Sequence, residues 1–191
     1  MPFPDAHFDA AYAIDATVHA PSLTGVYSEI YRTLKPGGVF GVFEWVLTEN
    51  FDPNNAEHVG IRYGIERGNG ITSLQDTAAA QEAMVKAGFE IIYVEDVAKR
   101  PDPLPWWYPF SGVEVGKAQG LRDWALVIRN TTYGRVAVRF LVRALELFRV
   151  APKGTAKITE ELITAGDSLV AGGKKGIFTP MFLMVGKKRE A

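Results

Sequence analysis

The chain of 191 residues contains no cysteine, which excludes disulfide bonds, thiolate metal sites and cysteine nucleophiles. Its three histidines, His7, His19 and His58, match no metal-ligand spacing, so we expect no metal site. The net charge is -1, which gives no indication of nucleic-acid binding. No window approaches eighteen apolar residues, and the opening MPFPDAHFDA has neither the basic nor the apolar part of a signal peptide.

The residues that are present favour a folded protein. The hydrophobic fraction of 47% is ample for a core and too high for a disordered chain. The length favours one domain.

The first fifty residues contain a strand-helix-strand pattern. The short, mostly apolar run Phe8–Ile14 predicts a strand and is compatible with one buried on both faces. Pro21-Ser22 suits the start of a helix, and Lys35-Pro36-Gly37-Gly38 suits its end. The run Val39–Val46, interrupted by Glu44, predicts a second strand parallel to the first. Ligands bind at the carboxyl ends of such strands, so the loop after Ile14 is the expected chemical face.

The remaining chain predicts further helices and strands. Helices are expected over residues 57–67, 73–87 and 117–150, and strands over residues 89–97 and 177–185. Pro180 indicates an edge position or a bulge for the last strand. Four prolines exclude regular structure from Pro101 to Phe110.

Three strings carry a resemblance to a known family. They are YAIDATVHAP at Tyr12–Pro21, YSEIYRTLKPGG at Tyr27–Gly38, and FEW ending at Trp45. Together they resemble the second half of a class I methyltransferase that uses S-adenosylmethionine, and more narrowly the sterol 24-C-methyltransferases. The later string VAGGKKGIFTPMF resembles the C-terminal domain of the same family.

The resemblance implies an α/β fold, the second half of a Rossmann-like sheet followed by a helical C-terminal domain. The implied divisions are a partial methyltransferase core at residues 1–100, an aromatic and proline-rich connector at 101–123, the sterol methyltransferase C-terminal domain at 124–188 and a tail at 189–191.

The family's Gly-rich loop, with the strand before it, is not found in this sequence. We therefore interpret the chain as the C-terminal half of a longer enzyme, as a fragment or a truncated gene model. Most of the S-adenosylmethionine site is then expected outside it. The chain alone is predicted neither to bind the cofactor tightly nor to turn over, and its uncovered sheet edge predicts poor solubility.

By resemblance, the reaction is C-methylation of a sterol side-chain double bond. Such a reaction needs a base and a group that stabilises a carbocation, either a carboxylate or an aromatic face. Glu44 stands out without the resemblance, because a charge inside a buried strand is unusual unless it is paired or functional. His19 and Glu29 have ordinary alternatives as a structural histidine and a solvent-facing helix charge. The five catalytic candidates are Asp15, His19, Glu29, Glu44 and Glu66.

The binding candidates are mostly aromatic. The resemblance places Ile14, Asp15 and Ala16 at the cofactor's methionine end, and Tyr12 and Trp45 beside the substrate. Trp106, Trp107 and Tyr108 either line a sterol pocket or contact a membrane interface, or else bury their rings on their own domain.

A basic stripe raises the question of a membrane. Arg135, Arg139 and Arg143 recur at spacing four, opposite an apolar stripe that includes Phe140 and Phe148. The arginines form either an ordinary solvated face or a peripheral contact with anionic headgroups. A sterol substrate implies the endoplasmic reticulum or a lipid-droplet surface, and a homo-oligomer is an open possibility. The alternative to an enzyme is a non-catalytic remnant that binds sterol or membrane or pairs with a full-length enzyme.

Overall fold

The structure, a computed structural model, describes residues 1–113, 115–118 and 120–190. The chain forms two compact units. The first comprises Met1–Phe51, Ile71–Pro101 and the segment from Gly176 onward, and the second comprises Asp52–Gly70 and Asp102–Lys175. The two units are interleaved along the sequence, because the last strand belongs to the sheet of the first unit.

Four strands form one sheet in the first unit. They are β1 Phe8–Ile14, β2 Leu34–Leu47, β3 Glu90–Asp96 and β4 Phe178–Lys187. The order is β1-β2-β4-β3. β1 runs parallel to β2, as predicted, and β4 runs antiparallel to both of its neighbours.

Seven α-helices lie in the described residues. They are α1 Leu23–Thr33, α2 Ala56–Asn69, α3 Thr77–Lys86, α4 Tyr108–Ser111, α5 Leu121–Asn130, α6 Thr132–Leu147 and α7 Thr155–Lys175. In the first unit, α1 and α3 share a core with the sheet that includes the fully buried Tyr27, Phe40 and Met184. Ser22 caps α1 by accepting the Gly25 N–H at 3.1 Å.

Two elements begin at places that the pattern did not predict. α3 starts at residue 77 rather than 73, because the Asp76 side chain accepts the Ala79 N–H at 2.7 Å and so fixes the start. α4 is a single helical turn that begins within the proline-rich segment, where no regular structure was expected, and ends one residue after it. Pro109 fits the first turn of this helix because it needs no partner for a backbone N–H.

The turn expected after α1 is instead the start of β2. Leu34 already pairs with Phe8, and the register shifts before Ala10 pairs with Val39. Gly38 makes this possible, because a Cβ there would lie 2.8 Å from the Lys35 oxygen and 3.1 Å from the Asp9 oxygen. The strand therefore starts five residues earlier than predicted.

Pro180 lies in a bulge of β4, which confirms one of the two positions predicted for it. The register of β2 and β4 shifts between the pairs Glu44–Phe182 and Val46–Thr179. The other alternative, an edge position, is wrong, because β4 lies between β2 and β3. A bulge lets an interior strand carry a residue that donates no hydrogen bond.

The single helix predicted over residues 117–150 is two helices that meet at Thr131. The Thr131 hydroxyl accepts the Gly134 N–H at 3.1 Å and donates to the Ile128 oxygen at 2.7 Å. A Cβ on Gly134 would lie 2.0 Å from the same Ile128 oxygen. The break therefore depends on a threonine cap and a glycine that permits close approach.

The two faces of α6 are the reverse of the expected arrangement. Arg135 pairs with Asp167 at 2.6 Å, and Arg139 with Glu160 at 3.0 Å, so the arginine face packs against α7. Phe140 and Phe148 lie on the exposed side. The expectation of arginines turned outward is therefore wrong for Arg135 and Arg139, since α7 supplies carboxylates that the periodicity of α6 alone does not reveal, whereas Arg143 is mostly exposed.

Candidate active site

A buried carboxylate lies near the carboxyl end of β2. Glu44 is only 1% exposed. Its Oε1 accepts hydrogen bonds from two buried hydroxyls, the Thr17 Oγ1 and the Tyr27 OH, the latter at 2.6 Å. One oxygen of the carboxyl group thus satisfies one donor from the loop after β1 and one donor from α1.

This environment favours the neutral form of Glu44. Burial raises the pKa of the Glu44 carboxyl above its ordinary value of 4.5, and the charge of Asp15 raises it further. The hydrogen bonds from Thr17 and Tyr27 oppose this rise but do not cancel it. Burial and the Glu44 carboxylate likewise raise the pKa of the Tyr27 hydroxyl, so that tyrosine remains a donor.

Asp15 lies directly after β1 in a left-handed backbone conformation, with φ of 52°. Its N–H donates to the Phe43 oxygen on β2 at 3.3 Å, which holds the turn against the neighbouring strand. Although the residue as a whole is exposed, desolvation raises the pKa of its carboxyl group. The Trp45 indole partly offsets that rise, so the two side chains are neighbours.

The Trp45 indole N–H is a buried donor that is available for a further hydrogen bond. Its Nε1 is buried and makes no hydrogen bond of normal geometry within the described residues, although it influences Asp15. The ring packs edge-on against Phe178, with centroids 5.5 Å apart, which fixes its orientation.

A cavity of about 320 Å³ in the first unit borders Glu44 and Trp45. Its walls come from the loop after β1, the start of α1, the segment before α3, and α3 itself. The lining residues are Val18, Ala20, Pro21, Ser22, Leu23, Thr24, Glu44, Trp45, Thr72, Ser73, Gln75, Ala79, Glu82, Ala83 and Lys86. The cavity lies at the end of the sheet where ligands bind in open α/β folds.

The other predicted residues near the end of β1 face solvent. Tyr12 and Ile14 are exposed side chains of the edge strand. Ala16 precedes the short 3₁₀ turn Thr17–His19 and His19 is its last residue, and both are exposed. Neither these four residues nor Asp15 lines the cavity.

Glu29 lies in an ion-pair cluster on the surface of α1. Its carboxylate pairs with Arg32 at 3.0 Å and with the terminal amine of Met1 at 2.7 Å. Hydrogen bonds from Arg32 and then from that amine lower the pKa of Glu29 to about 2. It is absent from the cavity lining.

Glu66 belongs to the second unit, on α2. It is half-buried and accepts the Arg62 Nε at 2.7 Å. This pair joins residues four apart on one face of the helix.

The aromatic segment also belongs to the second unit. The rings of Trp106 and Trp107 meet edge to face at 5.6 Å. They pack on α7, where a Cβ at Gly173 would lie 2.5 Å from Trp107. Tyr108 is buried and donates its hydroxyl to Asp123. These contacts favour the expectation that the rings are buried on their own domain.

Sequence reasoning missed Thr17 and Tyr27, the two partners of Glu44. Tyr27 was visible only as part of the apolar side of α1, and Thr17 as one residue of a loop string. A buried acid in a strand does signal that some donors must surround it, but the pattern does not say which ones.

Residues 1–113, 115–118 and 120–190 contain neither a candidate metal cluster nor a candidate membrane-spanning helix. No group of three or more histidine, aspartate or glutamate residues there could hold a metal ion. Within the same ranges, no helix is both long and apolar enough to cross a membrane.

Two family models match the chain. The model of the sterol methyltransferase C-terminal region matches residues 125–189, and a methyltransferase domain model matches residues 1–42. A sterol 24-C-methyltransferase of Gibberella zeae is 50% identical over 191 residues, which is 100% of this chain and 50% of the relative. One of Neurospora crassa is 51% identical over 188 residues, 98% of this chain and 49% of the relative.

Solved structures show the same fold at low identity. A geranyl diphosphate C-methyltransferase from Streptomyces coelicolor has a TM-score of 0.57 at 14% identity, covering 98% of this chain and 49% of its own. A putative sarcosine dimethylglycine methyltransferase from Galdieria sulphuraria has a TM-score of 0.57 at 15% identity, covering 100% and 56%. The mixed α/β unit with its four-stranded sheet is thus similar to class I methyltransferases.

The chain spans about half the length of the curated relatives it matches. The C-terminal family model matches residues 125–189 of the chain, which is consistent with the chain corresponding to the C-terminal half of these relatives. Along its whole length the chain is similar in sequence to sterol 24-C-methyltransferases, and its residues 125–189 match the model of the sterol methyltransferase C-terminal region.

Proposed function

We propose that the chain supplies part of an enzyme that transfers a methyl group from S-adenosylmethionine to a side-chain double bond of a sterol. The observation that carries this proposal is the identity of about 50% to sterol 24-C-methyltransferases along the entire chain. The polar groups at the carboxyl ends of β1 and β2 agree with it.

The residues at this end of the sheet fit part of such a cofactor. The Asp15 carboxylate offers negative charge to a sulfonium cation, and the buried Trp45 N–H offers a donor that has no regular partner. Ile14 and Ala16 flank Asp15 and would contribute backbone and apolar contact. When bound, the cofactor supplies an electrophilic methyl group.

The chain's own residues then have three tasks. Addition of the methyl group to the double bond would leave a carbocation on the sterol, which the Asp15 carboxylate and the faces of Trp45 and Tyr12 would stabilise. A base must afterwards take a proton from that cation. Glu44 suits this task, because its raised pKa makes the ionised carboxylate a stronger base than an ordinary glutamate.

The remaining candidates have supporting roles in this proposal. His19, exposed in the same loop as Asp15, orients polar groups at the mouth of the site. Glu29 and Glu66 hold their helices through ion pairs, and Trp106, Trp107 and Tyr108 form the apolar packing of the second unit. The sterol is taken from a membrane, which places the enzyme at the endoplasmic reticulum or a lipid-droplet surface.

A chimera tests the proposal. The region of the Gibberella zeae relative that this chain does not match is joined to the chain, and the transfer of labelled methyl from S-adenosylmethionine to a sterol with a side-chain double bond is measured. We expect the chimera to produce methylated sterol. The 191-residue chain alone is expected to give none, since it contains no Gly-rich cofactor loop.

The contrary result is equally plain. A folded chimera that makes no methylated sterol, beside an active relative in the same assay, would favour the non-catalytic alternative, a protein that binds sterol or membrane or pairs with an enzyme. Methyl transfer by the chain alone would overturn the assignment of most cofactor contacts to the unmatched half.

A further inference from the structure

The outward face of α6 is a continuous apolar stripe. Its members recur at three- and four-residue spacing along sixteen residues, and Phe140 and Phe148 are 73% and 76% exposed. The exposed apolar members are Tyr133, Val136, Phe140, Leu141, Leu147 and Phe148. A helix of a water-soluble domain ordinarily turns such a stripe toward its core.

Ion pairs hold α6 in this orientation. Arg135 reaches Asp167 at 2.6 Å, and Arg139 reaches Glu160 at 3.0 Å, both on α7. Turning the apolar side inward would break both pairs, each of which is partly exposed and contributes only modestly to stability. The outward orientation is thus a built feature of the second unit.

Cations gather where the stripe ends. Arg143, Arg149 and Lys153 line an open cavity of about 850 Å³ together with the exposed Leu147 and Val150. Arg143 makes only a long contact of 3.8 Å to Glu160, and it is mostly exposed. Positive charge and apolar side chains therefore share one surface.

The loop that carries these cations is held firmly. The Glu146 carboxylate accepts the N–H groups of Gly154 at 2.7 Å and Ala156 at 2.9 Å, which ties the start of α7 to the end of α6. Arg149 has φ of 59°, a conformation in which glycine is favoured after a helix. A long cationic side chain is nonetheless present at this position.

We propose that the outward face of α6, with Arg143, Arg149 and Lys153 at its end, docks on a membrane surface that contains anionic phospholipid. The apolar stripe enters the boundary between headgroups and acyl chains, and the cations meet lipid phosphates. The charge complementarity selects this occupant, because an apolar face with a cationic end matches a headgroup layer of negative charge. The surface shares only Arg143 with the arginine face expected from periodicity, because Arg135 and Arg139 pair with carboxylates of α7.

Vesicle binding tests the apolar part. The chain is mixed with phosphatidylcholine vesicles with and without phosphatidylserine, and the bound fraction is measured by flotation. We expect binding to increase with phosphatidylserine and to decrease with salt. Phe140→Glu should lower the vesicle–water partition coefficient of the chain roughly ten-fold or more, because it removes one large ring that would be buried in the membrane and adds a charge there. The matched control, Val85→Glu, alters an exposed apolar residue of α3 and should bind as wild type.

The cationic part is tested by removing single charges. Arg149→Gln and Lys153→Gln should each weaken binding to phosphatidylserine vesicles about five-fold, and should leave the residual binding to phosphatidylcholine unchanged. Lys99→Gln removes a surface charge from the first unit, where it pairs with Glu49, and should have no effect. Equal thermal melts by circular dichroism verify that each variant is folded.

Three results would overturn the proposal. The first is equal vesicle binding by wild type and Phe140→Glu. The second is a concentration-dependent dimer that Phe140→Glu abolishes without any vesicle binding, which would assign the face to a second copy of the chain. The third is binding by the chain but not by the chimera, which would show that the relative's other half covers the face.

Discussion

At the scale of single residues, Glu44 combines burial with two hydroxyl donors on one carboxylate oxygen. An unpaired buried carboxylate would be costly, and the Thr17 and Tyr27 hydroxyls offset part of that cost. The raised pKa shows that desolvation still outweighs them. This balance makes the residue sensitive to pH.

Glu44→Gln is expected to remove part of the pH dependence of stability. Because the folded-state pKa of Glu44 is raised, its contribution to the free energy of unfolding is complete below about 4.5, its unfolded value. It is lost as pH rises through the folded-state value. Glutamine keeps an oxygen for both hydroxyls without the charge, so the variant should gain stability relative to wild type as pH rises.

The measurement is the difference in Tm between wild type and Glu44→Gln at pH 4 to 9. Surface carboxylates such as Glu95, whose pKa Arg100 lowers to about 2, act in the opposite direction but are common to both proteins. A Tm difference that stays constant over this range would contradict the account of Glu44.

The sequence predicted this residue but not its surroundings. A glutamate among apolar strand residues signals a paired or functional group, and the structure places it beside a cavity. Trp45 was predicted as an aromatic partner, whereas Thr17 was not, because a hydroxyl in a loop has no periodicity to mark its direction. Local pattern gives the burial of a side chain but not its long-range contacts.

At the scale of elements, the break between α5 and α6 depends on two adjacent features of the backbone. We expect Gly134→Ala to destabilise the chain by about 1–3 kcal/mol, since its methyl group would collide with the Ile128 carbonyl. Gly60→Ala in α2 is the matched control, because its methyl group meets nothing within 4 Å. That variant should gain roughly 0.5–1 kcal/mol from helix propensity.

Urea unfolding measures both variants. The account of the break fails if Gly134→Ala is as stable as Gly60→Ala. A smaller loss than expected with an intact break would instead mean that the carbonyl moves aside at little cost.

Most elements could be predicted, but their ends and faces could not. The apolar runs located all four strands and the parallel pairing of the first two. The start of β2 was not predicted, because Leu34 fits both the apolar stripe of a helix and a strand. Only its pairing with Phe8 shows that it belongs to β2. The orientation of α6 was not predicted, because the carboxylates that pair with its arginines, Asp167 and Glu160, belong to another helix.

At the scale of the whole molecule, β1 is an edge of the described sheet, and its Tyr12 and Ile14 are exposed. This geometry supports the prediction of poor solubility, which stays a prediction. The family and the fold were predictable from strings of residues that lie together in sequence. The division into two interleaved units was not, because it depends on β4 returning to the sheet after more than eighty residues.

The most direct test of the central claim is the methyl-transfer rate of the chimera with Asp15→Asn. If the carboxyl end of β1 carries the chemistry, kcat should fall about 100-fold or more with little change in the KM for sterol, because the sterol gains its positive charge only during the reaction. Glu90→Gln, at the amino end of β3, should behave as wild type. A kcat for Asp15→Asn equal to that of Glu90→Gln would contradict the claim.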